Sequence, residues 1–448
     1  MENRRDFLKK CAVGLGGIAI GQDVFAAIDR SAREKAPGEG YIFRSVNGKP
    51  DDNLIKVLEL LGGLEKMFGD RDVVVIKPNV QWWNQGAPNL LSLKTLVDSI
   101  MERPGGFQGE VVVAENCHRG KTPWTSAGWA TPFVRNADVA GTESYTQLAA
   151  GLKKRYGEKY STIHWIDADA GGKRIFGPGV GDGYVYCDGT GKVPLLECRN
   201  GLSGRDFRAT VMTYPVFTTD QGTVVDLKNG IWEKGSYTGR PLRFINLAAL
   251  NHHSTYCGVT SLIKNYLGVS DLSDGPDPDQ GGRLTGNYYN FHSFPFNKWA
   301  PGPRVGMIGK AIGSYLRSVR QADLNIVTAE WVGLSSRTDP PLARTRAVLA
   351  SRDPVALDYH AAKYLVYPNS RLKIHNPDQP NSPIREYLEQ CATETGGQMD
   401  EGRVKVESYD FRGRGLKLAG DWTVKSGIEW GTNPKALMKY WLLRVRGA

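Results

Sequence analysis

Short runs of β-branched residues, each following a stretch with helical periodicity, constrain the fold of this chain more than any other feature. Val73–Ile76 and Val111–Ala114 are continuous apolar runs, which is typical of strands that are buried on both faces. Residues 51–68 and 90–101 precede these runs and carry apolar side chains at helical spacing. This alternation predicts an α/β fold in which helices cover a parallel sheet.

The same pattern resumes further along the chain, with one interruption. Strands are predicted at 162–166, 242–247, 324–328 and 404–409, and helices at 144–156, 259–267, 305–320, 354–364, 382–393 and 434–443. Residues 170–240 are different, because they are rich in glycine and contain short alternating runs that favour antiparallel strands. We therefore expect a three-layer, Rossmann-like α/β fold with a mostly parallel sheet and an antiparallel β-rich insertion.

These patterns divide the chain into segments with different expected roles. They are a twin-arginine signal peptide at 1–27, a linker at 28–40, the first part of an α/β domain at 41–169, the β-rich insertion at 170–240, the second part of the α/β domain at 241–400 and a C-terminal extension at 401–448. No internal repeat is visible.

The first residues have the form of an export signal. Arg4 and Arg5, followed by Asp-Phe-Leu-Lys, match the twin-arginine motif, and a short apolar run leads to the small residues Ala26 and Ala27. The run is shorter than the about 20 residues that a membrane span needs. We expect the twin-arginine translocase to export the folded chain to a bacterial periplasm, with no transmembrane segment in the mature chain. The alternative is an amphipathic helix of the folded protein.

Charge and cysteine content exclude several classes of function. The net charge is +10, yet basic and acidic residues are interleaved, which favours a cleft for anions over a nucleic-acid partner. No C-x-x-C pair is present, so we expect no intrinsic iron–sulfur cluster. Cys187 and Cys198 flank a hairpin-like stretch and are the candidate disulfide in an oxidising compartment.

Polar clusters stand directly after four of the predicted strands. They are Lys77-Pro78-Asn79, Glu115-Asn116-Cys117-His118, Asn251-His252-His253 and Glu330-Trp331. Ligands bind at the carboxyl ends of the strands in open α/β sheets, so we expect the clusters to share one crevice. The alternative is that each cluster is only the polar start of a loop.

A further polar pair lies in residues 258–268. Thr260 or Ser261 is the expected N-cap of a helix, and Lys264 and Asn265 would then lie one turn from its start. A lysine and an amide in this position suit a carboxylate or a phosphate. The alternative is an ordinary surface lysine.

The signal for a divalent metal rests on scattered residues. His252 and His253 point in opposite directions on an extended segment, so only one of them can face the site. Asp353 and Pro354 form a standard helix start, and Asp358 follows in the next turn. No pair has the spacing of a zinc motif. The candidate ligands are His118, His253, His292 and Asp358.

Three strings in the chain resemble the bacterial and archaeal family called Domain of Unknown Function 362. They are Ile76-Lys77-Pro78-Asn79, residues 258–268, and Ser351-Arg352-Asp353-Pro354 with the following residues to Asp358. Their order and rough spacing also match, and the resemblance covers about residues 70–366. It implies that His253 and His292 correspond to histidines of the family. Some members carry iron–sulfur modules, so the resemblance also implies redox-linked surroundings.

These observations lead to two hypotheses about function. The first is an exported enzyme, an oxidoreductase or a metal-dependent enzyme, that acts on an anionic small molecule, with redox-linked chemistry favoured. Its catalytic residues would be Glu115, His253 and Lys264, and its substrate-binding residues would be Lys77, Asn79, Asn116 and Asn265. The second is a periplasmic accessory protein that binds a ligand or metal without catalysis, with Trp124 and Trp129 as its contact surface or lid.

Overall fold

The computed structural model describes most of the chain after residue 39. The described ranges are 40–116, 127–165, 174–187, 196–199, 207–210, 212–253, 256–271, 288–289, 307–413, 415–418 and 420–445. Gly40–Ala448 form one compact unit. The predicted signal peptide and several predicted site residues, His118, Trp124 and His292, lie outside the described ranges.

The strands and helices are labelled in chain order. The strands are β1 (Gly40–Val46), β2 (Val73–Pro78), β3 (Glu110–Asn116), β4 (Tyr160–Trp165), β5 (Arg174–Ile175), β6 (Gly183–Cys187), β7 (Leu196–Arg199), β8 (Phe207–Thr210), β9 (Met212–Thr218), β10 (Val224–Asp226), β11 (Gly230–Glu233), β12 (Ser236–Tyr237), β13 (Leu242–His252), β14 (Val259–Thr260), β15 (Tyr288–Tyr289), β16 (Leu324–Gly333), β17 (Leu342–Ala343), β18 (Ala347–Ser351), β19 (Val404–Asp410), β20 (Gly415–Lys417) and β21 (Ile428–Glu429). The α-helices are α1 (Pro50–Leu60), α2 (Leu90–Met101), α3 (Ala127–Ala130), α4 (Tyr145–Tyr156), α5 (Leu262–Asn265), α6 (Met307–Ser318), α7 (Pro354–Ala361), α8 (Tyr367–Ser370), α9 (Pro383–Thr395) and α10 (Pro434–Val445).

One large mixed sheet of 12 strands organises the molecule. Its main path runs β20-β19-β1-β18-β16-β13-β2-β3-β4, and off this path β14 pairs with β13, β17 with β16, and β21 with β17. The five strands β16, β13, β2, β3 and β4 are parallel neighbours. The predicted α/β fold with a mostly parallel sheet is therefore confirmed.

A second sheet occupies the segment that the sequence marked as β-rich. Its six strands run in the order β12-β11-β10-β9-β6-β5. All of its pairings are antiparallel except that between β5 and β6. The predicted antiparallel β structure in residues 170–240 is thus present alongside the parallel sheet.

The central strands extend further than their apolar runs. The side chains of Val73–Ile76 are all buried, but β2 continues through Lys77 and Pro78 because these residues pair with Asn246 and Leu247 of the longer strand β13. Similarly, β3 reaches Asn116, β13 reaches His252 and β16 reaches Gly333. Most of the described polar residues of these clusters therefore lie within the strands, whereas the sequence placed them directly after the predicted strands.

The last part of the chain also joins the large sheet. Strand β19 pairs in parallel with β1 along the whole length of both strands, from Gly40 opposite Val404 to Val46 opposite Asp410. The residues that were expected to form a C-terminal extension therefore complete one side of the sheet. Among the described residues, no helix has both the length and the apolar character that crossing a membrane requires.

Candidate anion-binding site

The ends of β2 and β3 hold a buried ion pair. Lys77 Nζ lies 3.1 and 3.0 Å from Oε1 and Oε2 of Glu115. The same amine donates to the Pro78 carbonyl at 3.0 Å and to Oδ1 of Asn265. The side chains of Lys77, Glu115 and Asn265 are all buried. The structure therefore brings together three of the residues that the sequence assigned to one site.

Asn265 ties this ion pair to the neighbouring strand. Its Nδ2 donates to the Lys77 carbonyl at 3.0 Å, to Asn246 Oδ1 at 2.7 Å and to the Leu247 carbonyl at 3.2 Å. The amide thus joins β2, β13 and the short helix α5. Its polar atoms are used within the protein, which indicates a role in holding the strands rather than in contacting a ligand.

Burial opposes both charges of the pair. It raises the pKa of Glu115, against the stabilising effects of Lys77 and of the Val80 and Asn116 backbone N–H groups. It lowers the pKa of Lys77, against the attraction of Glu115. The carboxylate also accepts a hydrogen bond from Val80 N at 3.3 Å. We call Lys77 and Glu115 the Lys77 pair. Each charge of this pair is compensated by the other, so neither is available to attract a charged ligand.

Helix α5 begins differently from the sequence prediction. Instead of one helix over 259–267, Val259–Thr260 pair with β13, and α5 is followed by a 3₁₀ turn at Tyr266–Val269. Ser261 occupies the N-cap position without making a capping hydrogen bond. Asp358 of α7 takes over this task, because its two carboxylate oxygens accept from Leu262 N at 3.1 Å and Ile263 N at 3.0 Å.

Asp358 is therefore a structural residue at the start of α5. Burial raises its pKa to about 6, while the two backbone N–H groups and Ser261 act in the opposite direction. In the described ranges, no group of three or more His, Cys, Asp or Glu side chains is arranged to hold a metal ion. The predicted metal ligands His118 and His292 lie outside these ranges, so a divalent metal stays a prediction.

Lys264, on the same short helix, contrasts with Lys77. Its side chain is only 6% exposed, and its amine has neither a hydrogen bond nor an ion pair to any residue in the described part of the chain. Burial lowers the pKa of Lys264 to about 8. A Cys257 thiolate would raise this pKa, whereas the cations Arg337 and Lys77 lower it further. The amine is thus a buried donor that has no anionic partner among the residues that the structure describes.

Cys257, which acts electrostatically on this amine, lies with His253 on the hairpin between β13 and β14. Cys257 Sγ is 3.2 Å from His253 Nδ1, and both side chains are buried. The backbone N–H of His253 donates to the Gly258 carbonyl at 2.8 Å, and this hydrogen bond closes the hairpin. Gly258 has a φ of +72°, and a Cβ there would stand 2.3 Å from the Ile374 carbonyl oxygen. Glycine at this position therefore keeps His253 and Cys257 facing each other.

The loops that follow β2 and β16 complete the neighbourhood. Asn251 Nδ2 donates to the Gln85 carbonyl at 2.6 Å, and Asn251 Oδ1 accepts from Gly333 N at 2.8 Å. The guanidinium of Arg337 lies over the Trp82 ring, 4.8 Å from its centroid. Both loops are therefore held against the end of β13.

Two side chains in these loops carry unused polar atoms. The amide of Gln85 and the hydroxyl of Ser335 are buried, and neither has a hydrogen-bond partner within the described residues. Buried polar groups are normally paired with protein or water. Both lie in segments that are held against Asn251 at the end of β13, and a polar ligand at this end of the sheet would complete their hydrogen bonding. We call Lys264, Arg337, Gln85 and Ser335, with the His253–Cys257 pair, the Lys264 site.

The two adjacent histidines have different surroundings, as the alternation along a strand predicts. His252 Nδ1 lies 2.9 Å from His375 Nε2, and His375 Nδ1 lies 2.7 Å from Ser370 Oγ. Burial lowers the pKa of His375 to about 3 and that of His252 well below its ordinary value. His252 thus belongs to a neutral buried pair, and His253 is the histidine at the Lys264 site.

The remaining predicted residues serve internal contacts. Asn79 Oδ1 accepts from Ala249 N at 2.8 Å, and Asn116 donates to the Tyr184 hydroxyl at 2.9 Å. Glu330 pairs with Arg344 at 2.8 Å. These side chains fasten neighbouring segments to the strand ends.

Sequence reasoning missed Cys257, Arg337, Gln85 and Ser335. The position of Cys257, four residues after His253, was a signal that could have been used, because a hairpin can bring such residues face to face. The other three lie in loops 84–86 and 334–341 without a periodic pattern or motif. Only the sheet order places these loops side by side.

Comparisons with models of protein families, with curated proteins and with solved structures found no match. The resemblance to Domain of Unknown Function 362, the twin-arginine signal and the periplasmic location therefore stay predictions. What the site can do follows from its side chains and their distances.

Proposed function

We propose that this chain is an exported enzyme, of the family Domain of Unknown Function 362, that acts on an anionic small molecule at the ends of β2, β13 and β16. The observation that carries the proposal is the buried Lys264 amine, which has no anionic partner in the described part of the chain. Burying an unpaired ammonium group is unfavourable. An anionic ligand would supply the missing partner and recover that free energy on binding.

The surroundings of Lys264 favour a carboxylate or a phosphate. Arg337 adds a second cation, and a guanidinium can donate two parallel hydrogen bonds to either group. The unused amide of Gln85 and hydroxyl of Ser335 can orient the neutral part of the same molecule. The Lys77 pair would stabilise the site, because its hydrogen bonds hold β2, β3 and α5 together.

The His253–Cys257 pair supplies a reactive group beside the proposed anion. The 3.2 Å separation lets the imidazole accept the thiol proton, and Lys264 attracts the resulting negative charge on sulfur. The thiolate can attack one sulfur of an external disulfide, so that a mixed disulfide forms, the original S–S bond breaks and the other sulfur leaves as a thiolate. This exchange is redox-linked chemistry of the kind that the family resemblance favours.

Anion binding can be tested by thermal unfolding with inorganic phosphate, acetate, malonate or citrate as the added ligand. A ligand at about 100 times its Kd stabilises a protein by about 2.7 kcal/mol, so binding should raise the Tm by several degrees. We expect at least one of these anions to stabilise the wild-type chain. The Lys264→Met variant should lose this stabilisation, because methionine keeps the length of the side chain without its charge.

The matched control is Lys154→Met, which removes an exposed lysine from α4. It changes the net charge by the same amount and should keep the full stabilisation. Equal stabilisation of Lys264→Met and of the wild type would refute the proposal. A Cys257→Ser variant that still binds the anion would then separate binding from chemistry, since the hydroxyl is a much poorer nucleophile at neutral pH.

A further inference from the structure

The last helix, α10, presents an apolar stripe to solvent. Met438, Trp441, Leu442 and Val445 follow the spacing i, i+3, i+4, i+7, and they are 60%, 51%, 45% and 83% exposed. This spacing places all four side chains on one face of a helix. In a globular protein such a face normally packs against the core, so its exposure here needs an explanation.

The buried face of α10 packs against the protein and so determines which way the apolar stripe points. Ala436 and Tyr440 are the buried residues of α10, and the Tyr440 hydroxyl donates to the Ser370 carbonyl at 2.9 Å. With about 100° of rotation per residue, the centres of the buried and exposed faces lie nearly opposite each other. The helix is therefore anchored to the protein through one side and shows its apolar side outward.

Trp430 enlarges the apolar surface. Its ring is parallel to that of Trp441, with centroids 5.9 Å apart, and it is 40% exposed. It also meets the Tyr440 ring edge-on at 5.4 Å. Two half-exposed tryptophans thus stand together at the start of the stripe. We call Trp430 with the four exposed residues of α10 the Trp441 face.

The charged side chains of α10 itself are all basic. Lys435, Lys439 and Arg444 are all exposed, and no Asp or Glu occurs between residues 430 and 448. At helical spacing the two lysines flank one side of the stripe and the arginine flanks the other. The preceding acidic residue, Glu429, is paired with Arg135. The helix therefore combines an outward apolar stripe with basic flanks.

We propose that the Trp441 face binds the surface of an anionic lipid bilayer. Its apolar side chains would enter the boundary between headgroups and acyl chains, and its basic flanks would contact lipid phosphates. Tryptophan rings are favoured at this depth because they have both apolar and polar parts. The 12 residues of α10 span about 18 Å, too short to cross a hydrocarbon core of about 30 Å, so the helix would lie along the surface.

The test uses the full chain with vesicles of phosphatidylcholine alone or mixed with phosphatidylglycerol. Hydrogen exchange measured by mass spectrometry reports on α10 separately from other segments. We expect the mixed vesicles to slow exchange in residues 434–445 and to leave α4 unchanged. High salt should weaken the protection, because it screens the attraction between the basic flanks and the lipid phosphates.

Paired variants identify the contacts. Trp441→Ser combined with Leu442→Ser should lower the affinity for mixed vesicles by about tenfold or more, since apolar area drives this kind of binding. Val134→Ser removes an apolar side chain that is 81% exposed outside the face and should keep the affinity. Replacing Lys435, Lys439 and Arg444 by Gln should remove the preference for phosphatidylglycerol.

Three results would overturn this inference. Vesicle binding without protection of α10 would assign the contact to another part of the chain, such as the basic N-terminal residues. Equal binding by the wild type and the double variant would show that the stripe is not used. A dimer that Trp441→Ser dissociates would show that a second copy of this chain covers the face.

Discussion

Lys77 and Lys264 are two buried lysines at the same end of the large sheet, and their surroundings are opposite. Lys77 has a carboxylate, an amide oxygen and a carbonyl around its amine, whereas Lys264 has no hydrogen-bond or ion-pair partner among the described residues. Burial disfavours the charged form of both. The difference indicates that a buried lysine at this end of the sheet can either stabilise the fold or remain available to bind a ligand, and that its partners distinguish the two roles.

The two lysines should differ most in their contribution to the free energy of unfolding. Removing one member of a buried ion pair leaves the other charge uncompensated and typically costs about 3–5 kcal/mol. We therefore expect Lys77→Met to lower the free energy of unfolding by about that amount, since Glu115 would lose its cation. Lys264→Met should leave that free energy within about 1 kcal/mol of the wild type or raise it, because it removes an unpaired buried charge. Urea unfolding of both variants measures this difference.

A double variant is the control for this prediction. Lys77→Met with Glu115→Met removes both charges and should recover much of the lost stability, because no buried charge remains. Similar stability of Lys77→Met and Lys264→Met would contradict the distinction between the two lysines.

The second difference concerns pH. The pKa of Lys264 is about 8 in the folded chain, so its amine is charged below pH 8 and loses its proton above it. Anion affinity should be nearly constant from pH 6 to 7.5 and then fall by up to about tenfold per pH unit above pH 8. Isothermal titration calorimetry with the stabilising anion measures this profile.

Arginine at position 264 is the matched control, because a guanidinium keeps its charge throughout this range. Lys264→Arg should therefore bind with little pH dependence up to pH 9.5. The unliganded chain should become more stable as pH rises from about 8 towards 10.5, because the unfolded lysine holds its proton longer than the folded one. Wild-type affinity that does not change between pH 7 and 9.5 would rule out Lys264 as the anion-binding amine.

The smallest expected effect is a difference in alkylation rate between two buried cysteines, Cys257 and Cys391. Both are buried thiols outside any disulfide, but Cys257 lies against His253, whereas burial raises the pKa of the Cys391 thiol well above its ordinary value. Iodoacetamide should therefore alkylate Cys257 at least about fivefold faster in the folded protein. Peptide mapping by mass spectrometry after a timed reaction gives both rates.

His253→Ala is the informative variant for this comparison. It should slow alkylation of Cys257 and leave Cys391 unchanged, since only the first thiol has the imidazole beside it. If Cys257 and Cys391 react equally slowly, the thiol is not activated, and the proposed chemistry loses its nucleophile while the anion site stands.

Prediction from sequence succeeded where the signal is local. The apolar run at 73–76 is a buried strand of the parallel sheet, and Asp353 caps α7 by accepting from Val355 N and Ala356 N, as its position before Pro354 predicts. Prediction was wrong for residues 259–267, where a strand pair and a short helix replace one continuous helix. Pairing of Val259 with β13 and the carboxylate of Asp358 decide that local structure, and both come from distant parts of the chain.

The sequence alone determined the α/β alternation, the β-rich segment and the presence of lysines, histidines and carboxylates at the strand ends. These features depend on side-chain periodicity over a few residues, which acts locally. Which of the two lysines has a partner among the described residues depends on the arrangement of the folded chain. Lys77 forms hydrogen bonds with Glu115, 38 residues away in the sequence, and with Asn265, 188 residues away. Lys264 directly precedes Asn265, yet its amine contacts neither of these side chains. The order of strands in the sheet sets these distances, and no local pattern encodes that order.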